Sequence, residues 1–434
     1  MPRRGTFPLA GCVALGLAIP QCALAQTPEQ RPGGTIIIAT SPPPVADRGP
    51  ALMAEADAAL ARRDWAAADA AFRRAWDALD TRSRAAEALG RLHRSPGFRL
   101  LPETSRVDAT AALVGPTFAR SETPHFVILS DCDAGAVSSL GRTMERTRDQ
   151  FYRVMRRMEV PVVPHERKLL CVLFSGSEAY RAFARTQDQM DAAWAAGYYS
   201  SATNRIVFFN DASAEGCREA VEAVRPWEAR ADEISRQAGA ARQRGQIDVA
   251  EALAAQAEDL RTRARETLAR IKSDAASRAT AKTIHEAVHL LAFNSGLQSA
   301  RHDYPFWLSE GLAASFESDQ PGRAFGPDRP MAGHPRAEVF AAIKAESKLL
   351  PLSTLISLGR IKEEDDRAVD GLYAQSYALF MYLFQKNPRG LGRYFLALAE
   401  EPQGRIPSQR HAAIFTACFG DPDSIEQRIL SESR

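Results

Sequence analysis

The chain has 434 residues, with 55 Lys and Arg against 53 Asp and Glu, and 45% of it is hydrophobic. Setting aside the first 25 residues removes two arginines (Arg3 and Arg4) and no acid, leaving 53 basic against 53 acidic residues. A zero balance gives no reason to expect nucleic acid or an anionic membrane as partner, and no later run approaches the ~18 apolar residues that span a bilayer.

Residues 1–25 read as a signal peptide. Arg3 and Arg4 form a positive n-region, Leu9 to Ile19 an apolar h-region, and Ala23-Leu24-Ala25 a cleavage site. The mature protein is therefore expected to be periplasmic or secreted, cut after Ala25. Leu9-Ala10-Gly11-Cys12 resembles a lipoprotein box, but too little apolar sequence precedes it. Four cysteines follow, Cys132, Cys171, Cys217 and Cys418, in no zinc-ribbon or C-x-x-C spacing. An oxidising compartment permits a disulfide, with Cys132 and Cys171 the best-placed pair; free buried thiols are the alternative.

Residues 26–50, with Ser41-Pro42-Pro43-Pro44, read as a flexible linker. Residues 51–95 are Ala-rich at helical spacing. Trp65, Ala68, Phe72 and Ala75 fall where a tetratricopeptide repeat places packing residues, so the segment resembles one repeat plus a capping helix from Arg82 to Arg94. One repeat cannot bury its own apolar face. The segment is either a partner-docking arm or a helical hairpin packed onto the rest of the chain.

A second unit spans residues 120–213. His125 to Leu129 is a buried strand, Gly135 to Met158 a helix with Leu140, Met144, Phe151 and Met155 on one side, and Lys168 to Phe174 a second strand. Ser177 starts another helix. Gly197-Tyr198-Tyr199 and Arg205 to Phe209 form a hairpin across Ala202-Thr203-Asn204. Residues 214–278 interrupt this order. Trp227, Ala231, Ile234, Ala238 and Ala241 repeat at helical spacing, as do Leu253, Ala257, Leu260 and Ala264, with Gly245 between the two runs. This predicts an inserted antiparallel helical hairpin with a small-residue seam, whose second helix can run on into the next segment. The insertion is a passive arm, a gate or a protein-binding surface.

Residues 279–434 hold the chemistry. In Thr283-Ile284-His285-Glu286-Ala287-Val288-His289-Leu290, read as helix, His285 and His289 lie one turn apart on one face. Ile284, Val288 and Leu291 make an apolar stripe on another. Two imidazoles so spaced suit Zn²⁺ with bonds near ~2.0 Å, and Glu286 is placed to take a proton from a water that the metal activates. Glu310, in Trp307-Leu308-Ser309-Glu310-Gly311-Leu312-Ala313, completes a His₂Glu set, the kind used by catalytic zinc hydrolases. The bland alternative is a helix face with two solvated histidines and a salt-bridging glutamate.

These two phrases and the twenty residues between His289 and Glu310 resemble the gluzincin branch of the zinc metallopeptidases, in particular the secreted bacterial peptidase MA-like domains of unknown function. The resemblance spans residues 120–400. It implies an α+β fold: a thermolysin-like zincin domain with a small mixed sheet, an active-site helix and a mostly helical C-terminal lobe. It also implies zinc on His285, His289 and Glu310, with Glu286 as general base. In that fold an edge strand pairs with an extended peptide, and the hairpin from Tyr199 to Phe209 is the candidate.

Zinc peptidases commonly add a donor for the oxyanion. Tyr373, in Tyr-Ala-Gln-Ser-Tyr on a helix from Leu372 to Lys386, is the first choice and Tyr377 the second. Core tyrosines look the same. His334 and His411 read as surface histidines. His302, Asp303 and Glu317 could support the metal ligands or simply be solvated. The expectation is hydrolysis of a peptide or protein substrate. A non-catalytic periplasmic adaptor with structural zinc, or a zinc hydrolase of a non-protein amide, are the rivals. Glu286 argues against the adaptor, since a structural site needs no base.

Overall fold

The computed structural model describes residues 48–432 apart from 79–80, 96, 191–196, 212–214, 329–332 and 360–365. The expected signal peptide and all but the last three residues of the expected linker lie outside the described residues.

Three helices come first: α1 (Gly49–Ala61), α2 (Trp65–Asp77) and α3 (Arg82–His93). Asp64 caps α2 by accepting from the Ala67 N–H. The apolar spacing of α2 buries Ala68, Ala71, Phe72 and Ala75 against Met53, Ala56 and Leu89 in a small core of their own. Side chains tie this core to the chain beyond it. Arg73 donates to the carbonyls of Pro164 and His165, and the Trp76 indole to that of Pro161. The helix α4 (Thr104–Val114) leads into the sheet.

The sheet has five strands in the order β1 (Ala119–Glu122), β2 (Phe126–Ser130), β3 (Leu169–Phe174), β5 (Arg205–Phe209), β4 (Gly197–Ser200). The three central strands are parallel and the two edges antiparallel. Every residue of β2, β3 and β5 is buried, as strands covered on both faces must be. Their alternation sends Phe126, Ile128, Cys171, Leu173, Ile206 and Phe208 into the main core. There they join Met144 and Phe151 of α5 (Ala134–Arg157). The other face packs Val172, Phe174, Val207 and Phe209 against Tyr180 and Phe183 of α6 (Ser177–Gln187). Asn204 turns the β4–β5 hairpin at φ 48°. The six expected elements from β2 to β5 are present; α4 and the edge strand β1 were not read from the sequence.

After α7 (Glu215–Glu222), α8 (Arg225–Gln243) turns at Gly245, φ 75°, into α9 (Ile247–Asn294). The pair packs through Ala231, Ile234, Ala238 and Ala241 on one side and Ala250, Ala257 and Ala264 on the other. Alanine seams bring helix axes close together. The last turns of α9 change character: from Lys282 to Ala292 every residue is buried. They lie under the sheet, with Ile284, Val288 and Leu291 in the main core.

The remaining chain is helical: α10 (Phe306–Ala314), α11 (Pro335–Ala345), α12 (Leu352–Leu355), α13 (Asp366–Lys386), α14 (Pro388–Ala399), α15 (Ser408–Phe419) and α16 (Pro422–Glu432). α13 lies against both α10 and α11. At Gly311 the approach of α10 to α13 leaves no room for a Cβ, which would sit 2.5 Å from the Ser376 carbonyl oxygen. The architecture is mixed α+β, mostly helical, with a small mixed sheet. Cys132, Cys171, Cys217 and Cys418 are free thiols, so the expected Cys132–Cys171 bridge is not formed. Cys171 sits in the middle of β3 with its side chain in apolar packing, where burial pushes the thiol pKa up.

Candidate metal centre

Two helices bring three donors together. α9 supplies His285 and His289, and α10, crossing beneath it, supplies Glu310. His285 Nε2 lies 3.1 Å from Glu310 Oε2 and 3.2 Å from His289 Nε2, and His289 Nε2 lies 3.5 Å from Glu310 Oε2. A tetrahedral ion with bonds of about 2.0 Å separates its ligands by about 3.3 Å, so the three spacings fit one. All three residues are buried. The set is a possible metal site.

The other face of His285 is held as well. Its Nδ1 meets Glu317 Oε1 at 2.9 Å. A carboxylate there holds the proton on Nδ1, so that once Nε2 gives up its own proton its lone pair faces the other donors. Glu317 is not a solvated acid: its side chain is 11% exposed and meets His285. Burial alone would push His285 down, but hydrogen bonds to Glu310 and Glu317 outweigh it and hold the metal-free imidazole up, to about 10. Burial likewise opposes the charge on both acids. His289 and His285 nevertheless bring Glu310 down to about 2, and Arg336 and His285 do the same for Glu317.

Glu286, between the histidines, points to a different wall. Burial raises its pKa, and the backbone N–H of Tyr199 on the edge strand β4, which its carboxylate faces, offsets part of that. Its second oxygen, Oε2, is buried without a partner. An orphan carboxylate oxygen this deep is costly, and beside three converging donors it marks a place for a proton-bearing ligand.

The tyrosines divide. The Tyr373 ring lies 6.2 Å from that of His285, edge-on to Phe306 at 5.2 Å, and is 1% exposed. Tyr377 stacks on His334 at 4.3 Å instead, and burial with the Glu317 charge raises its pKa. His334 is therefore no free surface residue. It caps α11 by accepting from the Arg336 N–H and meets the Glu317 carbonyl through Nε2 at 3.2 Å. His411 is also buried, at 4% exposure, because α15 turns it into the C-terminal lobe. His302 bonds the Glu401 carbonyl and the Asp303 N–H bonds that of Gly404. That pair anchors the loop before α10 and gives the metal ligands no support.

Arg336 escaped the sequence reading. Its guanidinium is bound to Glu317, approaches Asp370 at 3.6 Å and lies 5.0 Å over the Tyr373 ring. The one local signal was its position. A cation in the first turn of a helix opposes the macrodipole, which a tertiary partner can justify.

Residues 279–403 match the model of a family described as "Protein of unknown function (DUF1570)". The match takes in the end of α9, α10, α11 and α13, and thus all three donors, Glu317 and Arg336. No curated protein and no solved structure matches the chain.

Proposed function

We propose that this chain is an exported zinc-dependent metallopeptidase of the gluzincin kind, with a thermolysin-like zincin arrangement around the sheet, α9 and α10. The observation that carries the reading is the pairing of three donors at 3.1–3.5 Å with the unpartnered Glu286 oxygen. A structural site would fill its fourth position with a protein ligand and would need no base.

His285, His289 and Glu310 would hold the ion. When bound, zinc supplies Lewis acidity toward a water and a carbonyl. Glu286 takes the proton of the attacking water and returns it to the leaving amine. Its raised pKa makes it a better base for that exchange. Tyr373 donates to the developing oxyanion from the His285 side of the site. β4 ends the sheet beside α9, and its Tyr199 N–H faces Glu286. An extended peptide added to that edge would pass the base.

The test is metal content and peptide cleavage in the wild type and in Glu286→Gln. Both should bind one zinc and only the wild type should cleave a peptide library. A wild type that binds no metal, or a variant that cleaves as well as it, would sink the reading.

A further inference from the structure

The N-terminus of α11 grips Glu317 at both ends. Arg336 holds the carboxylate, with Nε 3.2 Å from Oε2 and Nη2 3.2 Å from Oε1, and His334 holds the carbonyl of the same residue. Because the His334 Nδ1 accepts from the Arg336 N–H, its Nε2 is left to donate to that carbonyl. Arg336 itself is buried, with Asp370 of α13 on a further side.

Charge explains why a cation is needed here. Glu286 and Glu310 are buried and the Glu317 side chain is 11% exposed, and Glu286 and Glu317 flank a donor set that already contains Glu310. A divalent ion would balance two of those charges, which leaves Glu317 and the neighbouring Asp370 to share Arg336. Among the described residues Arg336 is the only Lys or Arg within ion-pair reach of any of the three. Uncompensated buried charge is strongly disfavoured.

We infer that Arg336 is a positioning residue of the metal centre, which fixes Glu317 against His285 and at the same time seats the Tyr373 ring. This inference rests on the metal reading above but not on peptidase activity. α11 would then be a working part of the site, although none of its residues reaches the ion. A guanidinium suits the position because its planar fork binds a carboxylate in two places and its face lies on an aromatic ring.

The test measures zinc affinity by chelator competition in Arg336→Met, Arg336→Lys, Glu317→Gln and the double variant Glu317→Gln/Arg336→Met. Arg336→Met should weaken zinc about 10- to 100-fold, and Arg336→Lys should recover part of the loss. The double variant should bind zinc as Glu317→Gln does, within about two-fold, because both changes remove one linkage. A purely structural arginine would give additive losses. Additive losses, or wild-type affinity in a folded Arg336→Met, overturn the inference and leave the metal site standing. If Arg336→Met does not fold, Arg336→Lys at wild-type affinity overturns it equally. A wild type that binds zinc and cleaves nothing sinks only the peptidase reading. One that binds no zinc sinks both.

Discussion

Replacing Gly311 by alanine tests whether the contact of α10 with α13 sets the metal site. The new Cβ would lie 2.5 Å from the Ser376 carbonyl oxygen and 3.0 Å from Phe380 Cβ. The first neighbour is backbone and cannot rotate away. Ordinary contact starts at 3.4 Å, so α10 must retreat by about 0.9 Å. Glu310 is the adjacent residue and travels with it, whereas metal–ligand distances tolerate about 0.2 Å. Overpacking costs about 1–3 kcal/mol, and alanine's better helix propensity returns about 0.5–1 kcal/mol. A net loss of about 1–2 kcal/mol should appear in urea melts of the metal-free protein, with zinc bound at least about tenfold more weakly. Gly239→Ala in α8 is the control, since nothing lies within 4 Å of its Cβ. It should stabilise the fold slightly and leave zinc untouched. A folded Gly311→Ala protein with wild-type zinc affinity would refute the argument that this contact places Glu310.

Tyr373→Phe should lower kcat about 10²- to 10³-fold while zinc affinity stays unchanged; equal kcat would remove Tyr373 from the chemistry. Lys282 on α9 is 3% exposed and pairs with Asp211 at 2.7 Å. Lys282→Met strands that carboxylate and should cost about 3–5 kcal/mol in a thermal or denaturant melt, against near zero if water reaches Asp211. In the metal-free protein the His285 pKa is raised from 6.5 to about 10. Its contribution to stability is therefore full below pH 6.5 and is lost as pH rises through about 10. Zinc needs the neutral ring, so between those values binding releases a proton and affinity should rise about tenfold per pH unit. Calorimetry in buffers of different ionisation enthalpy reads that proton; zinc binding with no proton released would show that His285 is neutral beforehand.

Local pattern made much of this legible. The histidine spacing needs only helical geometry, and the apolar stripe of Ile284, Val288 and Leu291 was enough to bury that helix. Uninterrupted apolar runs gave β2 and β3, and the break at Asn204 gave the hairpin. Glu310 was found because an acid in Trp-Leu-Ser-Glu-Gly-Leu-Ala stands out from its apolar neighbours. What escaped depends on tertiary contact. Arg336 lies 51 residues from His285 in the chain, after a Pro- and Gly-rich stretch, and only the packing of α11 on α13 brings it to Glu317. His334 and His411 looked like surface residues because a lone histidine carries no periodic signal. Strand β1, Ala-Arg-Ser-Glu, has almost no apolar content and exists through its backbone pairing with β2.

One consequence follows from α9 being a single helix of 48 residues. At ~1.5 Å per residue it is about 72 Å long, and both histidines ride its buried end while Ala250, Ala257 and Ala264 nearer its start pack on α8. No loop separates the outer arm from the two histidines, so one unbroken ladder of helical hydrogen bonds joins the α8–α9 seam to the buried donor face.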